Sequence, residues 1–200
     1  MKVNGDSMTN EDKIKQFLDA NHGYISTSDF LKLNISKPLI KKYVDKGLIN
    51  KVSHGLYIDS NTLVDDEYVF QKRYPDVIYS YKTALNILGL IKETQKEVEI
   101  TVNSKKRVLS NYKVHYVADK YYDIGIIEFN NMFNNPIKIY NAERCICDML
   151  KGDDFDLELQ NNILHDYFNG SDKDIDKLLE YSKIFNIYDK VKTLVDYAVR

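Results

Sequence analysis

Tryptophan is absent from this 200-residue chain, proline occurs three times and cysteine twice. The two thiols, Cys145 and Cys147, stand two residues apart. In a helix they diverge, and in a strand they share a face without bridging easily. The four histidines (His22, His54, His115 and His165) are scattered, with no metal-ligand spacing between any two. Two cysteines and four dispersed imidazoles build neither a disulfide framework nor a four-ligand zinc site. No cofactor and no metal are therefore expected. No stretch approaches the roughly 18 apolar residues of a membrane span. The opening segment MKVNGDSMTNEDK is polar and acidic and lacks the apolar core of a signal peptide. The expectation is a soluble protein of the reducing cytoplasm. No nucleophile with an adjacent base, glycine-rich phosphate loop or carboxylate pair with its own rationale supports an enzyme. A heptad repeat is also missing, which favours a monomer.

What is present is an ordinary globular composition, 44% hydrophobic and 29% charged, enough for one large domain or two small ones. The net charge of −2 conceals an asymmetry. Residues 32–54 carry six lysines (Lys32, Lys37, Lys41, Lys42, Lys46 and Lys51) against Asp45 alone, and no arginine. Residues 151–200 are acidic, with a net charge of −4. The local basic cluster is more informative than the whole-chain charge.

The N-terminal sixty residues alternate helix and turn signals. Thr9 or Asn10 suits a helix start, with Glu11 and Asp12 in the first turn. Ile14, Phe17 and Leu18 follow at helical spacing, and Gly23 suits a left-handed cap. Tyr24-Ile25 is a short extended piece. Ser26 or Thr27 then caps a second short helix containing Phe30, Leu31 and Leu33. Asn34 tolerates the left-handed turn conformation, and Ser36 restarts a helix that runs to Lys46. Two short helices joined by a tight turn form a helix-turn-helix.

The Lys37–Lys46 helix has two distinct faces. At about 100° per residue, Leu39, Ile40, Tyr43 and Val44 fall on one side. Lys37, Pro38, Lys41, Lys42, Asp45 and Lys46 fall on the other. Pro38 is compatible with the first turn, where N–H groups have no intrahelical partner. Gly47 ends the helix. Leu48–Val52 and Leu56–Ile58 then suit two strands around a Ser53-His54-Gly55 turn, although the alternation in the first strand is too imperfect to assign faces. A basic amphipathic helix alone is usually a solvated face. Its position after a helix-turn and immediately before a hairpin favours a winged helix that inserts into DNA. The expected contacts are Ser36, Lys37, Pro38, Lys41, Lys42 and Lys46 from the helix, with Lys51, Ser53 and His54 from the wing. Lysine suits phosphate contact more than base reading, so specificity is expected to rest on Ser36, some of the lysines and DNA shape.

The run GYISTSDFLKLNISKPLIKKYVDKGLINKVSHGLYI, Gly23 to Ile58, resembles the N-terminal module of AbiEi-type antitoxins of type IV toxin–antitoxin systems. The likeness continues through Arg73-Tyr74-Pro75, then Ser80, Thr83-Ala84-Leu85 and Gly89-Leu90. It reaches the segment Asn141-Ala142-Glu143-Arg144-Cys145-Ile146-Cys147-Asp148-Met149-Leu150, similar to the family's Ala-Glu-Arg…Asp helix. Many relatives carry arginine near the recognition-helix start and in the wing, where this chain has Lys37 and Ser53-His54. The resemblance implies a bifunctional, non-enzymatic protein. Its winged helix would bind inverted repeats in its own promoter and repress the operon. Its C-terminal domain would counteract a nucleotidyltransferase-like toxin encoded alongside, without a stable complex, in abortive infection against phage.

The residues themselves predict an α+β protein: a winged helix-turn-helix over 9–60, then a mixed α/β domain rich in helices over 61–200. The latter begins with a linking helix (61–75) bearing Leu63, Tyr68, Val69 and Phe70. Expected strands lie at 98–102, 112–117, 124–129 and 137–140. Expected helices cover 81–90, 141–151, 156–168, 171–186 and 188–199. Gly170-Ser171 with Asp172, Asp174 and Asp176 weakly resembles a nucleotidyltransferase pattern but is better explained as a capped helix start. Arg144 and Asp148, at i and i+4 beside Glu143, suit a structural ion pair. Lys105-Lys106-Arg107 is expected in a β-hairpin turn, where it could add an auxiliary nucleic-acid contact or simply be a solvated loop.

Overall fold

The computed structural model describes residues 8–93, 96–152 and 155–198. The chain divides into two compact units. One extends to Arg73 and includes Met132–Asn135; the other takes Tyr74–Asn131 and the residues from Pro136 onward.

In the first unit, α1 (Asn10–Ala20) starts in a capping box. The Asp12 amide donates to Thr9 Oγ1 and the Thr9 amide donates to the Asp12 carboxylate, satisfying two N–H groups that the first turn leaves open. Gly23, at φ +83°, reverses the chain after this helix. The short strand β1 (Tyr24–Ser26) leads into α2 (Thr27–Lys32), capped by the same reciprocal pairing between Ser26 and Asp29. Asn34 takes up φ +61°, as its short polar side chain allows. The Ile35 amide returns to the Phe30 carbonyl at 2.8 Å. Helix α3 (Lys37–Asp45) follows with Ser36 at its N-cap, and Gly47 at φ +71° ends it.

β2 (Ile49–Ser53) and β3 (Leu56–Asp59) form the wing hairpin, and β1 pairs antiparallel with β3 to give the order β1-β3-β2. The β2–β3 register slips between Lys51 and Ser53, a bulge that accounts for the imperfect alternation of this strand. Ile14, Leu18, Ile25, Phe30, Ile35, Ile40, Tyr43 and Ile49 form one buried cluster beneath the helices. The expected linking helix is shorter than its sequence span: α4 covers Asp66–Arg73. Asp65 accepts the Tyr68 amide and sets the start, so Leu63, expected on this helix, precedes it and is 77% exposed.

The second unit is built on a five-stranded mixed sheet, β4 (Ile78–Tyr79), β5 (Glu99–Asn103), β6 (Lys113–Val117), β7 (Ile126–Asn130) and β8 (Pro136–Tyr140), in the order β6-β5-β4-β8-β7. Its helices are α5 (Tyr81–Ile87), α6 (Asp119–Tyr122), α7 (Ala142–Lys151), α8 (Leu157–Asn169), α9 (Ile175–Ile184) and α10 (Tyr188–Ala198). The sheet changes one expectation. β5 and β6 run parallel, so residues 104–112 are a return crossover and Lys105-Lys106-Arg107 does not sit in a hairpin turn. The helix expected from Ser171 starts at Ile175 instead, because Asp174 and not Ser171 accepts the Lys177 amide.

α7 is the central helix of this unit. Cys145, Ile146, Cys147 and Met149 are fully buried on it, so both thiols are core groups. Gly125 lets the chain pass close to this helix: at φ +85°, a Cβ there would stand 2.6 Å from Arg144 Cβ and 2.8 Å from Asn141 Oδ1. At Gly47 a Cβ would meet nothing within 4 Å, so conformation alone requires glycine there. We therefore expect Gly47→Ala to cost about 1 kcal/mol. Gly125→Ala adds a steric term and should cost about 3 kcal/mol in total. Urea unfolding of the two variants checks this ordering, and equal losses would contradict it.

Candidate nucleic-acid interface

Burial of Ile40 and Tyr43 turns the opposite side of α3 to solvent. Ser36, Lys37, Pro38, Lys41, Lys42 and Lys46 are all exposed. Ser36 stands at the N-cap without a side-chain capping bond, so its hydroxyl is not committed to the helix end. On the wing, Lys51 and His54 are exposed and Ser53 is half-buried.

Of these residues Lys37, Lys51 and His54 converge on a groove of about 480 Å³, which Ile40 of α3 and Ser26, Thr27 and Ser28 at the start of α2 also line. Ser36, Pro38, Lys41, Lys42, Lys46 and Ser53 lie outside its lining. The wing tip is held there by α2. The Thr27 amide donates to the Gly55 carbonyl at 2.8 Å, and the Thr27 hydroxyl reaches the same oxygen at 3.4 Å. The hydroxyls of Ser26, Thr27 and Ser28 were not among the residues expected at the interface. Their Ser-Thr-Ser run signals a helix cap, and capping conceals the second role of lining the groove.

The lysines are not equivalent. Lys46 forms a 2.9 Å ion pair with Glu11, and Lys32 forms one of 3.0 Å with Asp29. Among the described residues, Lys37, Lys41, Lys42 and Lys51 have no ion-pair partner. Uncompensated cations at the N-terminal half of a helix and on the adjoining hairpin suit a polyanion, and the positive end of the helix dipole adds to their field.

The second group of expected residues lies in the other unit. Lys105 is paired with Asp119, and Lys106 with Asp76 at 3.2 Å. The Arg107 guanidinium donates to the Ser104 and Lys106 carbonyls and stands over the Tyr116 ring. Arg144 is 1% exposed. It donates through Nε to Asp148 at 2.9 Å and through Nη1 to the carbonyls of Tyr121 and Ile124 at 2.6 and 2.7 Å. Burial raises the Asp148 pKa above the usual carboxylate value, against the opposing pull of Arg144. Glu143 accepts from the Tyr167 hydroxyl at 3.0 Å and from the Asp174 amide at 3.3 Å. Arg144 and Asp148 are thus the ion pair that their spacing predicts.

The order helix, strand, helix, turn, helix and hairpin, with a lysine-rich outer face on the third helix, defines a winged helix-turn-helix. Residues 12–58 match the AbiEi antitoxin family of transcriptional regulators. The match covers α1 to β3, the elements that build the groove. No curated protein matches the chain. Among solved structures, the crystal structure of the RV2827C protein from Mycobacterium tuberculosis resembles it with a TM-score of 0.51 at 10% identity. The alignment covers 95% of this chain and 82% of that one, a likeness of fold. Among the described residues no helix is long and apolar enough to cross a membrane.

The groove depends on the start of α2, and that start depends on Asp29. Burial opposes ionisation of Asp29, but hydrogen bonds from Ser26 and Lys32 outweigh it and hold the pKa below the ordinary 3.8. A depressed folded pKa adds stability above the unfolded value that is lost as pH falls through the folded one. Wild type should therefore exceed Asp29→Asn in Tm near neutral pH, with the gap closing as the pH falls below the ordinary carboxylate value. A gap that is constant with pH would contradict the assignment.

Proposed function

We propose that the protein is a transcriptional autorepressor and antitoxin. It binds inverted repeats in its own promoter through the outer face of α3 and the β2–β3 wing. The observation that carries this reading is the convergence of Lys37, Lys51 and His54 on one groove, continued along α3 by exposed Lys41 and Lys42. In this docking the N-terminal half of α3 enters the major groove, placing Ser36 nearest the base edges and Lys37 within reach of the phosphates that border it. Pro38 stiffens that end, and Lys41 and Lys42 reach the flanking phosphates. The wing lays Lys51 and His54 on an adjacent phosphate run, with Ser53 beside them. Lys46, already engaged by Glu11, contributes little.

The family match over residues 12–58 supports the regulator part of this reading. The antitoxin part assigns the second unit to counteracting a nucleotidyltransferase-like toxin encoded by a neighbouring gene, without a stable complex. The setting is a type IV system of phage defence in the cytoplasm. The protein acts as a monomer that occupies two half-sites, and Lys105-Lys106-Arg107 makes at most an auxiliary contact because two of its three cations are paired. The protein itself carries out no catalysis. Co-expression with the neighbouring toxin tests this directly: growth is restored, and persistent arrest would count against it.

The groove assignment has a quantitative test. Lys37→Ala combined with Lys41→Ala removes two phosphate-range cations from exposed positions and should leave the fold intact. Promoter affinity should fall by about tenfold or more, and the slope of log K against log salt should become shallower by about 1.8, or 0.9 per lost contact. Lys46→Ala should change neither. A gel shift unaltered by the double substitution would overturn the assignment.

A further inference from the structure

The second unit holds a cleft of about 430 Å³ that the promoter-binding reading does not use. This is within the ~300–1,000 Å³ range of small-ligand sites. Its aromatic walls are Tyr81, Tyr116, Tyr121 and Phe185, and among the described residues Asp148 is its one acidic lining group. α7 supplies Arg144, Asp148 and Lys151 at i, i+4 and i+7, which places all three on the helix face turned to the cleft.

Cations accompany the aromatic rings. The Arg144 guanidinium sits 4.2 Å from the Tyr140 ring centre and 4.5 Å from that of Phe185. Lys120 is 4.6 Å from the Tyr121 ring centre and Arg107 is 5.3 Å from that of Tyr116. Lys151 lies within 6 Å of both Tyr121 and Phe185. These cations stand over ring faces, so a ligand stacked on a remaining face meets positive charge close by. Planar aromatic surface beside fixed cations is the combination that takes a base together with its phosphate.

The backbone adds an independent observation. Tyr81 follows β4 directly and adopts φ +51°, in the left-handed region that non-glycine residues seldom occupy. Its ring stacks on His115 at 3.7 Å and 14°, and His115 Nε2 lies 2.7 Å from buried Glu99. The residue before it, Ser80, is buried and receives the Thr101 hydroxyl at 2.8 Å. Strained residues held by their surroundings in this way gather at ligand-binding sites.

We propose that this cleft binds a nucleotide unit, its base against Tyr81 and Tyr116 with a ring N–H on Asp148, and its phosphate drawn to Lys151. The unit could arrive as a free nucleotide or as one residue of a single-stranded RNA; the chemistry is shared. The proposal is independent of DNA binding by the first unit.

Isothermal titration of the full chain with GMP, guanosine and inorganic phosphate tests it. Lys151 and Tyr116 are exposed, so Lys151→Glu and Tyr116→Ala should fold normally. A parallel titration with a single-stranded oligoribonucleotide, in the Lys37→Ala/Lys41→Ala background, separates the two sources. Saturable one-to-one binding of GMP, weakened roughly tenfold by each substitution and weaker for guanosine, supports a free nucleotide. The same sensitivity seen with the oligonucleotide alone supports RNA. The proposal is overturned if neither probe binds, if binding ignores both substitutions, or if phosphate binds as tightly as GMP.

Discussion

Burial of Ile40 and Tyr43 against Ile14, Leu18, Phe30 and Ile49 fixes the rotation of α3 about its own axis. Each such side chain contributes on the order of 1.5–3 kcal/mol when removed from water, far more than any single surface lysine contributes to stability. With that side fixed, a period of about 3.6 residues leaves Lys37, Lys41 and Lys42 no direction but outward. The interface therefore follows from the core. A polar aliphatic residue in place of Tyr43 would disturb the presented face even though Tyr43 does not line the groove.

The caps convert this rotation into a defined position. Two capping boxes, Thr9 with Asp12 and Ser26 with Asp29, fix where α1 and α2 begin. Left-handed residues at Gly23, Asn34 and Gly47 then turn the chain sharply between elements. Thr27 ties the wing tip to the start of α2, so the hairpin and α3 border the same groove. Lys46 shows how context alters a charge that sequence alone treats as equal: Glu11 engages it from α1, 35 positions earlier in the chain.

Most of the first unit was legible in the sequence because its signals are local. Caps act over three residues, helical periodicity over seven, and left-handed turns at single positions such as Asn34. The broken alternation of β2 was visible, but its cause was not, since a bulge between Lys51 and Ser53 is a property of the pairing with β3. The second unit was legible for its longer elements and opaque where partners are distant. β4 has two residues, too few to show a period, yet it occupies the middle of the sheet between β5 and β8. The parallel pairing of β5 with β6 leaves no local mark, so residues 105–107 look like a hairpin turn in the sequence and belong to a crossover in the fold. Ser171 suits a cap from its sequence alone, but the helix starts later, where the Asp174 amide is held by Glu143 of α7. The unusual φ of Tyr81 has no sequence signature, because glycine or asparagine would normally announce it.

Entry of the outer side of α3 into a major groove is tested by a dimethyl sulfate and hydroxyl-radical footprint of the purified protein on its own upstream region. Protection of guanine N7 atoms in two inverted half-sites, flanked by shielded backbone on the side of the wing, is the predicted result. A footprint confined to the minor groove, or none at protein concentrations that saturate nonspecific DNA, would contradict it.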